Sequence, residues 1–364
     1  MKAKARVLAY YLPQFHPIPE NDEWWGKGFT EWTNVGKAKP LFPGHYQPHV
    51  PADLGYYDLR VPETREAQAQ LAKEYGIEGF VYWHYWFGNG KRLLERPFDE
   101  VLSSGKPDFP FALAWANETW KGFWFGVDGR REPLIEQTYP GDEDIVLHFQ
   151  TVLPAFQDHR YIQCEGKPVF FIYRPDEHPD IKRFISLWRT LANENGLPGI
   201  YFIAIKQSLY NKDKASKFYD HYMGLGFDAV NVVNTYGWPI SDLKLRIIRG
   251  LFFKLLKVIP DIRPYRIEQF ESPIDRMTNV FPSVIPNWDH TPRTGKRGIV
   301  LYKSTPKQFQ KCVHKQVENI KGKDIDHRFL IIKSWNEWAE GNYMEPDLQY
   351  GRQYLEALKA EIID

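Results

Sequence analysis

The sequence predicts an α/β fold, a single (β/α)8 TIM-type barrel, and three observations carry that prediction. Eight short, continuously apolar runs are spread along the 364 residues, as parallel strands covered on both faces require. Helical patterns lie between them. The chain after the first run, LPQFHPIPENDEWWGKGFTEW, is not the glycine-rich phosphate loop that a doubly wound sheet would place there.

The strands are expected at RVLAYY (6–11), GFVYWHY (79–85), FALAWA (111–116), PVFFIY (168–173), IYFIAI (200–205), DAVNVV (228–233), FPSVIP (281–286) and RFLIIKSW (328–335). Helices are expected near 62–76, 93–104, 142–160, 178–195, 306–321 and 348–361. Pro62 and Pro306 suit first-turn positions, where no backbone N–H is missed, and Gly76 and Gly196 suit helix ends. No repeat or low-complexity linker divides the chain, so residues 1–364 are read as one catalytic barrel domain with long insertions at 12–61 and 234–280.

Composition narrows the function classes. A formal net charge of +1 gives no general attraction to nucleic acid. Two cysteines support neither a disulfide framework nor a cysteine-rich metal site. His16, His45 and His49 share a loop without metal-ligand spacing, so no metal and no cofactor is expected. The opening apolar run is short and broken by Pro13, and no long apolar segment follows, so a cytoplasmic location is expected. Aromatic residues make up 16% of the chain, including 13 tryptophans, and flat rings with polar edges suit a core or a sugar-binding cleft.

In such barrels the functional residues gather where strands end. The strand ends here collect Tyr11, Gln14 and His16; Trp83, His84, Tyr85 and Trp86; Trp115, Asn117, Glu118 and Trp120; Tyr173, Arg174, Lys206 and Gln207. Asn234, Tyr236, Asn287, Trp288, Asp289 and His290 follow, and then Trp335, Asn336, Glu337, Trp338, Glu340, Tyr343 and Glu345. This is the inventory of a carbohydrate cleft, although each member also has a structural reading as core or rim. Glu337 and Glu340 stand three apart, so a turn after Asn336 would face both carboxyls into the mouth. Paired carboxyls at that separation suit acid/base work at a glycosidic bond. The alternative is a helix start whose dipole welcomes acids. The Asp142–Asp144 and Asp324–Asp326 pairs read as caps or solvated acids rather than a metal–nucleotide site.

YYLPQFHPIPENDEWWGKGFTEW, GFVYWHYWF, WANETW and SWNEWAEGNYMEPD resemble the WbsX family of polysaccharide-biosynthesis proteins over nearly the whole chain. That family is similar in turn to glycoside hydrolase family 99, the endo-α-mannosidases and endo-α-mannanases, through the barrel and an Asn-Glu-Trp-x-Glu segment. The resemblance implies that Glu337 acts as base on a sugar 2-hydroxyl and Glu340 as general acid/base, in a retaining cleavage through a 1,2-anhydro sugar. An α-mannoside or α-rhamnoside meets the trans requirement of that route. This chain has Ala339 where the hydrolases often carry His. Glu118, in an Asn-Glu pair after the third strand rather than the fourth, is assigned to substrate binding or support of the pair. The partner implied is an oligosaccharide or polysaccharide. The same family also implies the alternative of glycosyl transfer in O-antigen, lipopolysaccharide or capsule assembly, and a glycan-binding protein with a vestigial pair is a third reading.

Residues 242–266 carry seven basic and two acidic side chains. On a helical wheel Arg246, Arg249, Lys254 and Lys257 segregate from Leu245, Ile247, Ile248, Leu251, Phe252, Leu255 and Val258. The pattern suits a lid on the barrel, or reversible docking on an anionic membrane at its inner face. With about 1 kcal/mol per basic residue near an anionic surface, docking predicts salt-sensitive cosedimentation with anionic but not neutral vesicles. A chain that ignores anionic vesicles at low salt has a structural helix there.

Overall fold

The computed structural model describes residues 3–121, 133–207, 212–235, 247, 251 and 259–363. Tyr236 and most of the 242–266 segment lie outside the described residues. Eight parallel strands form the barrel: β1 (Arg6–Tyr11), β2 (Gly79–Trp86), β3 (Phe111–Trp115), β4 (Lys167–Ile172), β5 (Tyr201–Gln207), β6 (Ala229–Val233), β7 (Val280–Val284) and β8 (Phe329–Ile332). Each strand neighbours the next in sequence, and β1 pairs with both β2 and β8, so the sheet closes and leaves no open edge. Leu8 lies opposite Gly79 on one side and Ile331 on the other.

The helices between strands are α3 (Pro62–Glu74), α4 (Arg96–Ser104), α5 (Asp142–Phe156), α6 (Ile181–Glu194), α7 (Lys212–Gly224) and α8 (Pro306–Ile320), with α9 (Gln353–Ile362) last. The proline starts are as expected, and α8 is also capped by Thr305, whose side chain accepts from the Gln308 N–H. α7 was not legible, because among its described side chains only Ala215 and Tyr222 are buried, with Phe218, Tyr219 and Met223 half-buried beside them. The first insertion holds two further helices, α1 (Pro19–Trp25) and α2 (Glu31–Lys37), the latter with a Thr30/Thr33 capping box. Among the described residues no helix is long and apolar enough to cross a membrane.

The barrel splits its side chains into two layers, because successive residues of a strand point to opposite faces. Inside, Tyr10 stacks on Trp83 with ring centroids 4.7 Å apart, and its hydroxyl donates to Asn231 Oδ1 at 2.8 Å. Outside, fully buried Trp188 of α6 packs among Phe149, Phe156, Phe170 and Phe202. Trp86 belongs to this outer layer, stacked on His148 of α5 at 4.6 Å and donating to Asp144 at 3.1 Å. Trp86→Ala is therefore expected to cost about 3–5 kcal/mol of stability in denaturant unfolding, as for other buried aromatic truncations. A loss below about 1 kcal/mol would place the ring outside the core.

Candidate active site

A cleft opens at the C-terminal ends of the strands. Its walls include Leu12, Trp83, Tyr85, Ala116, Tyr173, Gln207, Thr235 and Lys333, joined by Gln14, Glu118, Trp120, Trp288, Arg293, Glu337 and Glu340 from the loops. The first group shares one strand parity. Leu12 continues Tyr10, Tyr85 continues Trp83, and Thr235 continues Asn231, so the inward rows simply run up into the mouth.

The carboxylate pair rides on a hairpin that follows β8. Asn336–Glu337 pairs with Asn342–Tyr343, and Trp338–Glu340 forms a tight helical turn ended by Gly341 at φ +59°. A side chain at Gly341 would place its Cβ 2.8 Å from the Asp289 Cβ, so glycine permits both the left-handed backbone and the close approach of the next loop. The Glu337 N–H donates to Ser334 Oγ at 3.0 Å, and the Asp289 N–H donates to the Glu340 carbonyl at 2.6 Å. Glu337 and Glu340 thus share a hairpin turn rather than an α-helix start, and both line the mouth.

The two carboxyls sit in different surroundings. Glu337 is 7% exposed, with Lys333 Nζ 3.3 Å and Asn342 Nδ2 3.4 Å from its Oε2. Burial pushes its carboxyl up to about 7, with Lys333 opposing and the neighbouring Glu340 adding repulsion. Glu340 is ion-paired at 2.5 Å with Arg293, which also reaches Glu31 at 3.1 Å. Burial works against the Arg293 charge, but Glu31 and Glu340 outweigh it and raise the guanidinium's proton affinity. Glu118 faces the pair from the loop after β3; burial raises its carboxyl, opposed by Arg174 at 3.2 Å. Lys333 Nζ also lies 6.0 Å from the Trp83 ring and 5.9 Å from Trp288, so it sits on the cleft floor between two aromatic walls.

Of the residues singled out in the sequence, Gln14, Trp83, Tyr85, Glu118, Trp120, Tyr173, Gln207, Trp288, Glu337 and Glu340 meet in this cleft. The other described ones do not line it. Tyr11, His84, Trp86 and Trp115 have the outward parity: Tyr11 donates to Gln68 of α3, His84 contacts His148 at 2.8 Å, and Trp115 packs on Phe184. Burial drives His84 down to about 3, so it is a neutral core histidine. Asn117 bonds Tyr139 and both backbone groups of Arg174, and Asn336 bonds both backbone groups of Leu12. Asp289 is held by His45 and Gln47, and Trp335 lies fully buried against Phe80. Trp338 stacks on Tyr343 at 3.8 Å and donates to Glu345, which also accepts from Tyr57 and Gln68. These residues brace the hairpin from behind. His16 is 1% exposed, and burial lowers it to about 4.

The sequence reading missed Arg293, Lys333 and Glu31. Lys333 carries a signal in hindsight, a lone charge at an inward position of the last strand. Arg293 and Glu31 lie 262 positions apart, and nothing local joins them.

The family model described as Glycosyltransferase WbsX matches residues 7–358. The uncharacterized protein WxcX of Xanthomonas campestris pv. campestris is 36% identical over 359 residues, 98% of this chain and 49% of its own length. The chain thus spans about half the length of the curated relatives it matches. Among solved structures, a glycoside hydrolase-like protein superposes with a TM-score of 0.64 at 17% identity, covering 100% of this chain and 95% of the other. The family 99 endo-α-mannosidase from Bacteroides thetaiotaomicron, in complex with bis-tris propane, gives a TM-score of 0.58 at 14% identity over 97% and 95%. At these identities the solved structures speak for the shared barrel alone. The family model covers nearly all of the sequence, and on that ground the chain belongs to the WbsX family.

Proposed function

We propose that this chain is a carbohydrate-active enzyme that cleaves an α-mannoside-like or rhamnoside-like bond with retention, using the sugar's own 2-hydroxyl as nucleophile. One observation carries the reading. Glu337 and Glu340 stand on one turn at the barrel mouth, in different electrostatic surroundings, in a cleft walled by Trp83, Trp120 and Trp288. Aromatic faces pack on the C–H faces of sugar rings, and a half-buried site strengthens charge interactions with the reacting atoms.

In the proposed route Glu337 takes the O2 proton and O2 attacks the anomeric carbon. The bond to the leaving oxygen breaks as Glu340 protonates it. Water then opens the 1,2-anhydro sugar at the anomeric carbon, giving its proton to Glu340 while Glu337 returns a proton to O2. Burial favours the proton on Glu337 in the free site. The cycle therefore begins with that proton passing to the adjacent Glu340, and it ends with the pair holding the same single proton.

A second reading, bond formation during polysaccharide assembly, is favoured by the family's description as a glycosyltransferase. Transfer from a nucleotide sugar needs cations for a diphosphate, whereas Lys333, Arg293 and Arg174 each face a carboxylate here. Incubation with defined mannose- and rhamnose-containing oligosaccharides, with and without nucleotide sugars, separates the two. Cleavage without a nucleotide sugar is expected; chain lengthening that depends on one would replace the hydrolase reading.

Glu337→Gln and Glu340→Gln should each lower turnover at least about a hundredfold while glycan still binds. Near-normal turnover in either variant removes that residue from the chemistry.

Turnover should also fall as pH rises through about 7, because Glu337, pushed up to about 7, then gives up the pair's only proton. The kcat/KM profile checks this, and a rate that stays flat to about pH 9 would exclude a proton held on Glu337.

A further inference from the structure

Arg293 comes from the short helical turn Thr291–Thr294 after β7, and its side chain is 11% exposed. It is gripped from two sides. Nη1 donates to Glu340 Oε1, while Nε and Nη2 reach Glu31 Oε2 at 3.2 and 3.1 Å. Glu31 has no solvent exposure, and its other carboxyl oxygen makes no hydrogen bond, so the acid has no evident use except to face the guanidinium. A buried carboxylate is costly unless paired, and a planar guanidinium is suited to span two of them.

The loop carrying Arg293 is itself pinned by the first insertion. Asp289 Oδ2 contacts His45 Nε2 at 2.7 Å and accepts from Gln47 Nε2 at 2.6 Å, while Oδ1 accepts from the Thr291 N–H and hydroxyl. Around the pair stand Glu337 and Lys333 from the segment after β8, Glu118 with Arg174 from the loops after β3 and β4, and Tyr85 of β2. His290 Nε2 lies 4.0 Å from Glu340 Oε1, and burial lowers that histidine to about 4. Lys333 faces Glu337, and Arg293 makes the charge-assisted bond to Glu340.

We propose that Arg293, braced by Glu31, is a positioning residue for Glu340: it keeps that carboxyl turned into the cleft and ion-paired, so the pair's single proton rests on Glu337 until a glycan arrives. The first insertion thereby becomes part of the catalytic apparatus, since α2 supplies the brace. The inference rests on Glu337 and Glu340 being the reacting pair, but its test needs no substrate.

The experiment is a pH titration of the full chain carrying 13C-carboxyl-labelled glutamate, followed by NMR and assigned with Glu337→Gln and Glu340→Gln. In the wild type the near-neutral titration should belong to Glu337. In Arg293→Gln it should pass to Glu340, whose midpoint should rise by about one pH unit, tenfold in proton affinity, once its ion pair is lost. Arg293→Lys, which keeps the charge, should leave it on Glu337. A near-neutral titration on Glu340 in the wild type overturns the proposal without any variant. So does an Arg293→Gln protein of unchanged melting temperature in which Glu337 titrates as before. If the titrations move as expected and no glycan is cleaved, the functional reading fails and the positioning role of Arg293 stands.

Discussion

The side chain of Asn336 continues the barrel where its backbone ladder stops. Its amide donates to the Leu12 carbonyl at 3.1 Å and accepts from the Leu12 N–H at 2.8 Å, so β1 and the chain after β8 stay joined beyond the last strand pair. The hairpin that starts at Asn336 is thereby fixed at its root. The placing of the carboxylate pair follows from that anchor, because Glu337 is the next residue and Glu340 closes the same turn. Buried polar groups must find partners, and here the partner found is the backbone of the opposite end of the chain.

Behind the hairpin a second set of contacts fixes its tilt. Trp338 lies flat on Tyr343 and donates to Glu345 at 2.6 Å, and Glu345 takes further bonds from Tyr57 and Gln68. Burial pushes the Glu345 carboxyl up to about 7, with those donors opposing. Tyr343 continues outward to His49 and Asp347. Much of the negative charge after β8 thus serves to hold the turn, leaving two carboxylates to face the cleft.

The cleft alternates its charges. Lys333 answers Glu337, Arg293 answers Glu340 and Glu31, and Arg174 answers Glu118. In a half-buried site each unpaired charge would carry a large desolvation cost, so the alternation keeps several ionised groups within one small volume. The arrangement draws on the first insertion, on the β3, β4 and β7 loops and on the β8 hairpin together. No single segment could build it.

The barrel, the order of its strands and most of its helices were legible in the sequence. Continuously apolar runs and proline or glycine boundaries are local consequences of burial and backbone sterics. Membership of Glu337 and Glu340 in one turn was legible for the same reason, since three residues cannot separate far. Which aromatic residues face the cleft was not legible. Trp83 and Trp86 occupy one strand, yet alternation and register send the first inward to Tyr10 and the second outward to His148. A sequence states the alternation without its phase, and the phase is set by which neighbours the closed sheet provides. Arg293 and Glu31 lie further still beyond the sequence. Their pairing across 262 positions exists because an insertion after β1 and a loop after β7 meet over the same mouth. Sequence determined what each strand could bury; only the closed barrel decided which charges would be buried together.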